Sequence, residues 1–332
     1  MTARQAAGRT LYWLVHAPVG RVRAFFADGG PLEQRRTELG RRQMEAAAWS
    51  LPVPTGLDGP PLVVHLLTGH RFWYQTAFCL YTLARTSGRQ LAPRLYDDGT
   101  LMREECAALL RLFRLGVVVP QTDTRTRLDT LLPRARFPVL RERWDHYPNL
   151  RKLIDPHLGS KGWKLVIDSD LLFFRTPAIV TAWLDRPSRP FHAVDVHSSY
   201  GYSAALLSSF ATAPLPARLN VGLCGLLSEE MDWDRLEWLC RTLIERERTN
   251  YYLEQALVAV LLAGRECIVA PGNDYVTLPR PPEAQDCRAV MHHYVAGSKR
   301  WYFQSNWRRC LGAASGVSTG SAARSATSGA QQ

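Results

Sequence analysis

The sequence is poor in lysine, and it lacks both long apolar runs and closely spaced cysteine pairs. No apolar run is long enough to span a bilayer, and the short apolar segment at residues 11–15 is not followed by the cleavage site of a secretory signal. The seven cysteines are scattered, with no C-x-x-C pair. This spacing argues against a structural zinc site and predicts reduced thiols in a cytoplasmic protein.

The positive charge of the chain is carried almost entirely by arginine. The 332 residues have a formal net charge of +11, and the only lysines are Lys152, Lys161, Lys164 and Lys299. A basic protein favours anionic partners such as nucleotide phosphates, acidic glycans or anionic lipids. No nucleic-acid-binding motif is present, so we expect no nucleic acid partner. The bias towards arginine and alanine is typical of a GC-rich bacterial genome.

The two ends of the chain differ from its middle. Residues 1–32 are a basic arm with aromatic side chains, a composition that allows a peripheral contact with the anionic inner face of a membrane. The alternative is an arm that packs on its own domain. Residues 311–332 are rich in Ala, Ser and Gly and too poor in apolar side chains to fold. Residues 33–310 are therefore predicted to form a single folded domain.

Alternating strand and helix patterns run through this domain. Apolar strands are predicted near residues 62–69, 94–96, 117–119, 163–167, 191–195, 219–226 and 267–269, most of them separated by helical segments. This alternation predicts an α/β fold with a mixed, mostly parallel, Rossmann-like sheet flanked by helices. The first turn between strand and helix has no G-x-G-x-x-G sequence, so the dinucleotide fingerprint is absent.

The central stretch of the chain is an apolar strand, residues 163–167, that ends in two carboxylates, Asp168 and Asp170. Open α/β sheets bind ligands at the carboxyl ends of their strands. Two carboxylates this close repel each other, and a divalent cation relieves the repulsion by taking both as ligands. The alternative is that Asp168 caps a turn and Asp170 is solvated.

Taken in order, the motifs after the first strand resemble those of glycosyltransferases that use nucleotide sugars. The order is D-x-D at a strand end, N-x-G on a later strand, an acidic-Gln pair that opens a helix, and H-x₅-K-x-W. The pattern is similar to the A-type glycosyltransferase fold, and nearest to the retaining family-8 enzymes of the glycogenin and lipopolysaccharide galactosyltransferase type. This resemblance covers roughly residues 62 to 305, so that residues 33–310 would be the catalytic domain.

The resemblance implies a role for each matching residue. Asp168, Asp170 and His293 match the metal ligands, with His292 as the competing candidate, and Lys299 matches a lysine that contacts the donor diphosphate. The remaining matches are to residues at the sugar and the reacting carbon, namely Asn220, Gly222, Glu254 and Gln255. The metal would be Mn²⁺ or Mg²⁺, and the imidazole slightly favours Mn²⁺. The donor would be a nucleoside diphosphate sugar, with UDP expected, and the acceptor a glycan, a lipid-linked sugar or a protein.

Further substrate-binding candidates are the residues that end the first two strands, together with one lysine: Thr68, Gly69, Asp97, Asp98 and Lys152. Asp97 and Asp98 stand where this fold reads the nucleotide base, although a simple Asp-Gly turn fits the sequence as well. An inverting transfer needs a carboxylate base, for which Asp195 and Glu254 are the candidates. A retaining transfer needs no base at that position.

Two other functions fit parts of the pattern. One is a non-catalytic protein of the same fold that binds a nucleotide sugar. The other is a phosphatase of the haloacid dehalogenase type, in which Asp168 would be the nucleophile. That family has Thr or Val four residues after its first aspartate, whereas this chain has Leu172 there.

Overall fold

The computed structural model describes residues 30–198 and 200–312. Nearly all of the predicted basic arm and of the Ala/Ser/Gly tail lies outside the described residues. The predicted boundaries of the arm, domain and tail therefore stay predictions.

A seven-stranded mixed sheet forms the centre of the molecule. Its strand order is β3-β2-β1-β4-β7-β6-β8, and β7 runs antiparallel to both of its neighbours while the other pairs are parallel. A second sheet has three strands in the order β5-β10-β9. The strands are β1 His65–Thr68, β2 Arg94–Asp97, β3 Val117–Val119, β4 Trp163–Ile167, β5 Leu171–Phe173, β6 Phe191–Val194, β7 Leu219–Leu227, β8 Ile268–Val269, β9 Tyr275–Thr277 and β10 Met291–His293.

Helices cover both faces of the main sheet and connect its strands. Three consecutive helical segments end the described chain, and the middle one, Tyr302–Asn306, is a π-helix. The α-helices are α1 Gly30–Trp49, α2 Trp73–Ser87, α3 Arg103–Leu112, α4 Gln121–Leu131, α5 Pro138–His146, α6 Pro148–Ile154, α7 Ala178–Asp185, α8 Ala204–Ser208, α9 Trp233–Glu247, α10 Leu253–Leu261, α11 Glu283–Asp286, α12 Lys299–Trp301 and α13 Trp307–Gly312.

Helix α2 is the central helix of one hydrophobic core. Its first twelve residues are all buried, and it ends at Gly88, whose φ of 65° belongs to the left-handed region that glycine adopts without strain. Phe78 of α2 packs edge-on against Trp307, with ring centroids 5.3 Å apart. A β-carbon on Gly40 of α1 would lie 2.2 Å from the carbonyl oxygen of Phe303. Glycine therefore allows α1 to lie directly against the C-terminal helical segments.

A second hydrophobic core lies on the other face of the sheet, under α5, α6, α9 and α10. It contains a buried ion pair in which Arg151 Nε lies 3.2 Å from Asp155 Oδ2. The indole Nε1 of Trp144 donates to the other oxygen of Asp155 at 2.6 Å. These contacts fix α6, the helix that precedes β4 and carries Lys152.

The predicted fold class, a mixed and mostly parallel sheet flanked by helices, is confirmed. The sequence patterns gave no indication of the second sheet, because β5, β9 and β10 have three residues each and are too short to show a periodicity. The connection between β6 and β7 contains the short helix α8. No helix in the described part of the chain has the length and apolar character needed to cross a bilayer.

The two buried histidines His65 and His157 make stability depend on pH. Burial lowers the pKa of each ring to about 3, whereas an unfolded histidine titrates at about 6.5. The unfolded state therefore binds more protons, and the free energy of unfolding should fall as the pH drops from about 6.5 towards 3. Each histidine should contribute up to about 1.4 kcal/mol per pH unit. Urea unfolding between about pH 7.5 and pH 5 measures this slope.

Two matched variants measure how much His157 contributes to this pH dependence of stability. His157→Gln should flatten the slope, and His146→Gln, at an exposed position, should leave it as in the wild type. An unchanged slope in His157→Gln would contradict the assignment.

Candidate active site

Asp168 is held in position by the two central strands of the main sheet. Its backbone amide donates to the carbonyl oxygen of Gly222 at 2.8 Å, which continues the β4–β7 ladder one step beyond the pair Ile167–Leu223. The Asp168 side chain therefore leaves the sheet opposite Gly222, at the carboxyl end of β4.

The second sheet brings His293 next to Asp170. Strand β5 begins directly after Asp170, and β10 runs antiparallel to it, with His293 opposite Leu171. The amide of Tyr294 donates to the carbonyl oxygen of Asp170 at 3.0 Å. Residues that are far apart in the sequence thus become neighbours through backbone pairing.

Asp168, Asp170 and His293 form a cluster that could hold a metal ion. Each offers one ligand atom, and these atoms lie within 4.8 Å of one another. His293 Nε2 lies 3.3 Å from Asp170 Oδ1 and 3.6 Å from Asp168 Oδ2, and it is buried without a hydrogen-bond partner. A buried polar atom without a partner is costly, and a metal ion would satisfy it. The three side chains therefore fit a divalent cation with oxygen and imidazole ligands.

The charges around Asp170 keep its carboxyl group ionised. Burial alone would raise the pKa of Asp170, but the His293 ring and the Lys299 ammonium group outweigh this and lower it to about 2. Lys299 Nζ lies 3.3 Å from Asp170 Oδ2. An ionised carboxylate is the form that binds metal ions.

Lys152 links Asp168 of this candidate metal site to a third acidic residue, Glu254. Its Nζ lies 2.8 Å from Asp168 Oδ1 and 3.2 Å from Glu254 Oε2, and all three side chains are largely buried. Burial alone would lower the pKa of Lys152, but the two carboxylates raise it above its ordinary value. Burial, opposed by Lys152, raises the pKa of Glu254 to about 7.

Gly222 and Asn220 form the floor beneath His293. A β-carbon on Gly222 would lie 2.3 Å from His293 Cε1, so only glycine leaves room for the ring. Asn220 Oδ1 accepts from the amide of Gly222 at 2.8 Å, and its Nδ2 donates to Thr277 Oγ1 at 3.2 Å. The N-x-G sequence therefore ties β7 to the second sheet directly under the imidazole.

Asp195 and Gln255 are joined by a hydrogen bond. Gln255 Nε2 donates to Asp195 Oδ2 at 3.3 Å, and Asp195 Oδ1 accepts from the amide of Val196 at 2.7 Å. Both carboxylate oxygens of Asp195 are thus engaged. The hydrogen bond between Asp195 and Gln255 restrains the position of both side chains.

All of these side chains except Lys299 line one cleft of about 530 Å³. Such a volume suits a small ligand. Lys299 instead lines a second cavity, of about 460 Å³, together with Arg41, His70, Arg71 and Gln75 among others. The oxygen Gln75 Oε1 is buried without a hydrogen-bond partner in this region.

The substrate-binding candidates at the ends of β1 and β2 line neither cavity. Thr68 is buried and shares a hydrogen bond of 2.9 Å with Thr76. Asp97 Oδ1 accepts from the amides of Gly99 and Leu101, and Asp98 Oδ1 accepts from the amide of Thr100. The two aspartates thus stabilise the Asp-Gly turn, the alternative that the sequence left open. Gly69 packs against Asp98, and a β-carbon there would lie 2.2 Å from its carboxyl group.

His292, the competing candidate for the metal ligand, has a structural role. Its Nδ1 lies 3.0 Å from the hydroxyl of Tyr294 and its Nε2 lies 2.8 Å from Glu283 Oε1. Both ring nitrogens are engaged away from the two aspartates. Of the two histidines, His293 is the one whose ring reaches the metal cluster.

Several cleft residues were not singled out from the sequence. They are mostly uncharged, and apart from Asn149 in α6, Val221 in β7 and Thr277 in β9 they lie outside the strands and α-helices: Asn149, Val196, His197, Val221, Tyr251, Tyr252, Thr277, Leu278, Val295 and Ala296. The one available signal was position, since Tyr251 and Tyr252 stand three and two residues before Glu254 of the predicted pair Glu254-Gln255.

Comparisons with known proteins give similarity in structure alone. No family model matches the chain, and no curated protein sequence does. Among solved structures, the chain is similar to the apo form of mouse xyloside xylosyltransferase 1, with 15% identity and a TM-score of 0.46 over 70% of this chain and 98% of that chain. It is also similar to the galactosyltransferase LgtC in complex with donor and acceptor sugar analogues, with 11% identity and a TM-score of 0.49 over 78% of this chain and 98% of that chain.

A third similar structure is the glycosyltransferase GlyE of Streptococcus pneumoniae TIGR4, with 11% identity and a TM-score of 0.46 over 77% of this chain and 63% of that chain. All three are glycosyltransferases, the class that the order of the sequence motifs resembles. At such identities and TM-scores, the function of this chain has to be argued from its own site residues.

The contact between Gly222 and His293 predicts a specific effect on metal binding. Gly222→Ala should displace the imidazole and weaken Mn²⁺ binding roughly 10–100-fold, as loss of a residue that orients a ligand does. Gly272→Ala is the matched control, because its added methyl group would meet only Val194 at ordinary contact distance, 3.6 Å. Titration calorimetry with Mn²⁺ measures both variants. Equal affinity in Gly222→Ala and the wild type would contradict the assignment of His293.

The buried ion pairs of Lys152 predict an effect on stability. Lys152→Met leaves the carboxylates of Asp168 and Glu254 without their counter-charge, and removing one partner of a buried pair costs about 3–5 kcal/mol. Lys161→Met removes an exposed lysine and should change the free energy of unfolding by less than about 0.5 kcal/mol. Urea unfolding at neutral pH compares the two. A loss below about 1 kcal/mol in Lys152→Met would show that the pair is solvated.

Proposed function

We propose that the chain is a metal-dependent glycosyltransferase that takes a sugar from a nucleoside diphosphate donor. The observation that carries the proposal is the cluster of Asp168, Asp170 and His293, with the buried, unpartnered Nε2 of His293, at the edge of a cleft of about 530 Å³. Two carboxylates and one imidazole leave coordination positions for the oxygens of a diphosphate.

Asp168, Asp170 and His293 would hold the metal ion, Mn²⁺ or Mg²⁺. A bound divalent cation supplies charge neutralisation to a leaving diphosphate. Lys299 adds a second positive charge beside it, because its Nζ reaches Asp170 while its side chain remains 41% exposed. An ammonium group that is paired on one side and open on the other can contact a phosphate oxygen.

The nucleoside of the donor would occupy the second cavity. That cavity adjoins the metal cluster through Lys299, and it is lined by the polar side chains of His70, Arg71 and Gln75. The buried Gln75 Oε1 has no hydrogen-bond partner and could accept from an N–H group of a base. We thus propose this cavity for the nucleoside in place of the strand ends at Thr68, Gly69, Asp97 and Asp98. We expect UDP as the nucleotide from the resemblance in motifs alone.

The sugar of the donor would enter the main cleft, between Lys152, Glu254, Gln255, Asp195 and Asn220. Lys152 holds Glu254 next to Asp168 and so fixes the acidic wall of this pocket. Gln255, oriented by Asp195, presents its amide to the reacting carbon. Both oxygens of Asp195 accept hydrogen bonds, so Asp195 would position Gln255, and Glu254 would be the candidate base of an inverting transfer.

Nucleotide binding that depends on metal is the most direct test. UDP with Mn²⁺ should raise the melting temperature, because a ligand that binds only the native state stabilises it by mass action. GDP, CDP, dTDP and ADP are compared in the same way, with and without Mn²⁺. Asp170→Asn should abolish the metal-dependent shift, and Asp234→Asn, at an exposed carboxylate, should retain it.

Turnover separates an enzyme from a protein that only binds. Release of UDP from UDP-glucose and UDP-galactose should depend on Mn²⁺ and disappear in Asp170→Asn. A metal-dependent rise in melting temperature, with no donor turned over, would favour the alternative of a non-catalytic protein that binds a nucleotide sugar. The absence of a metal-dependent shift with every nucleotide would contradict the proposed donor site.

A further inference from the structure

The open side of the main cleft carries two tyrosines that the proposed donor site does not use. Tyr251 and Tyr252 precede α10 and line the cleft, and Tyr251 is 70% exposed. Their rings lie 5.4 Å apart and nearly perpendicular, at 86°. An aromatic ring held in the open at the mouth of a polar cleft offers a flat face to a ligand.

The backbone that carries these rings is fixed from two directions. The hydroxyl of Tyr147 donates to the carbonyl oxygen of Tyr251 at 2.6 Å. Asn250 donates through Nδ2 to the carbonyl oxygen of Gly201 at 2.8 Å and accepts through Oδ1 from the amide of Tyr252 at 2.8 Å. A ring on a fixed backbone loses little conformational freedom when it binds, so this segment is preorganised for contact.

The charges of the cleft limit what the ligand on this side can be. Of the described residues that line it, none is an arginine, and the single lysine, Lys152, is bound by Asp168 and Glu254. Asp195 adds a further negative charge to the wall. Apart from the proposed metal ion, an anionic ligand would find no arginine and no unpaired lysine among these described side chains, despite the basic composition of the whole chain. Neutral hydroxyl groups can donate to the carboxylates and pair with amides such as that of Asn149.

A saccharide combines the two properties that this wall requires. Its ring has a face of C–H groups, which suits the electron-rich face of an aromatic ring, and an edge of hydroxyl groups, which suits carboxylates and amides. We propose that Tyr251 is the stacking platform for a neutral saccharide acceptor. This inference rests on the proposed function for its reaction, but the binding of the sugar does not require the donor.

Direct binding tests the platform without the reaction. Saturation-transfer difference NMR is recorded with methyl glucoside, methyl galactoside, lactose and maltose as neutral probes, and with glucuronate and glucose 6-phosphate as anionic ones. Neutral probes should give signals that are strongest for the C–H protons of one ring face, and anionic probes should give none. Tyr251→Ala should weaken the binding of neutral probes about tenfold, the size of one stacking contact.

Two variants control this experiment. Tyr251→Phe keeps the ring and should bind as the wild type does, and Trp238→Ala removes a 51% exposed aromatic side chain that does not line the cleft. Equal binding in Tyr251→Ala and the wild type, or signals from anionic probes alone, would overturn the proposal. No signal from any neutral probe would do the same.

These experiments distinguish failure of the Tyr251 platform from failure of the proposed donor site. If nucleotides give no metal-dependent shift but neutral sugars bind through Tyr251, the donor site fails and the platform stands. If nucleotides bind and Tyr251→Ala leaves sugar binding intact, the platform fails and the donor site stands. With a sugar that accepts transfer, Tyr251→Ala should raise the KM for that acceptor while the KM for the donor is unchanged.

Discussion

Three carboxylates, those of Asp168, Asp170 and Glu254, are held close together at the end of a buried strand, and their repulsion is the constraint on which the site depends. Lys152 lies between Asp168 and Glu254, and Lys299 pairs with Asp170. These contacts leave oxygens of both aspartates facing the unpartnered nitrogen of His293. The negative charge of the two aspartates is therefore left uncompensated on the side that faces His293, where a cation and a diphosphate would bind.

Part of this arrangement could be predicted from the sequence and part could not. The strand before Asp168 and the helices around it follow from apolar patterns long enough to show a period. A histidine of residues 292–293 as a candidate metal ligand followed from the resemblance in the order of the motifs, whereas the choice of His293 over His292 needed the structure. One residue of offset along β10 turns a side chain to the other face of the strand, and the sequence does not fix that register.

Contacts between distant segments were the hardest to foresee. Lys152 lies on a helix with no local sign of its partners, and its pairing with Glu254 is set by the packing of α6 against α10. Asp97 and Asp98 show the reverse case. They stand at the expected edge of the sheet, but their side chains accept hydrogen bonds from the turn that follows. The general rule on strand ends does not foresee these local hydrogen bonds to backbone amides.

The antiparallel pairing of β5 with β10 determines at which point of folding the candidate metal site is complete. Because it joins Leu171 to His293 across a long stretch of sequence, the complete ligand set exists only after the late strands have docked. Closing so long a loop costs entropy, which an ion bridging both ends would help to offset. A divalent cation bound by Asp168, Asp170 and His293 would therefore stabilise the folded state. Its affinity would depend on whether β5 and β10 had paired.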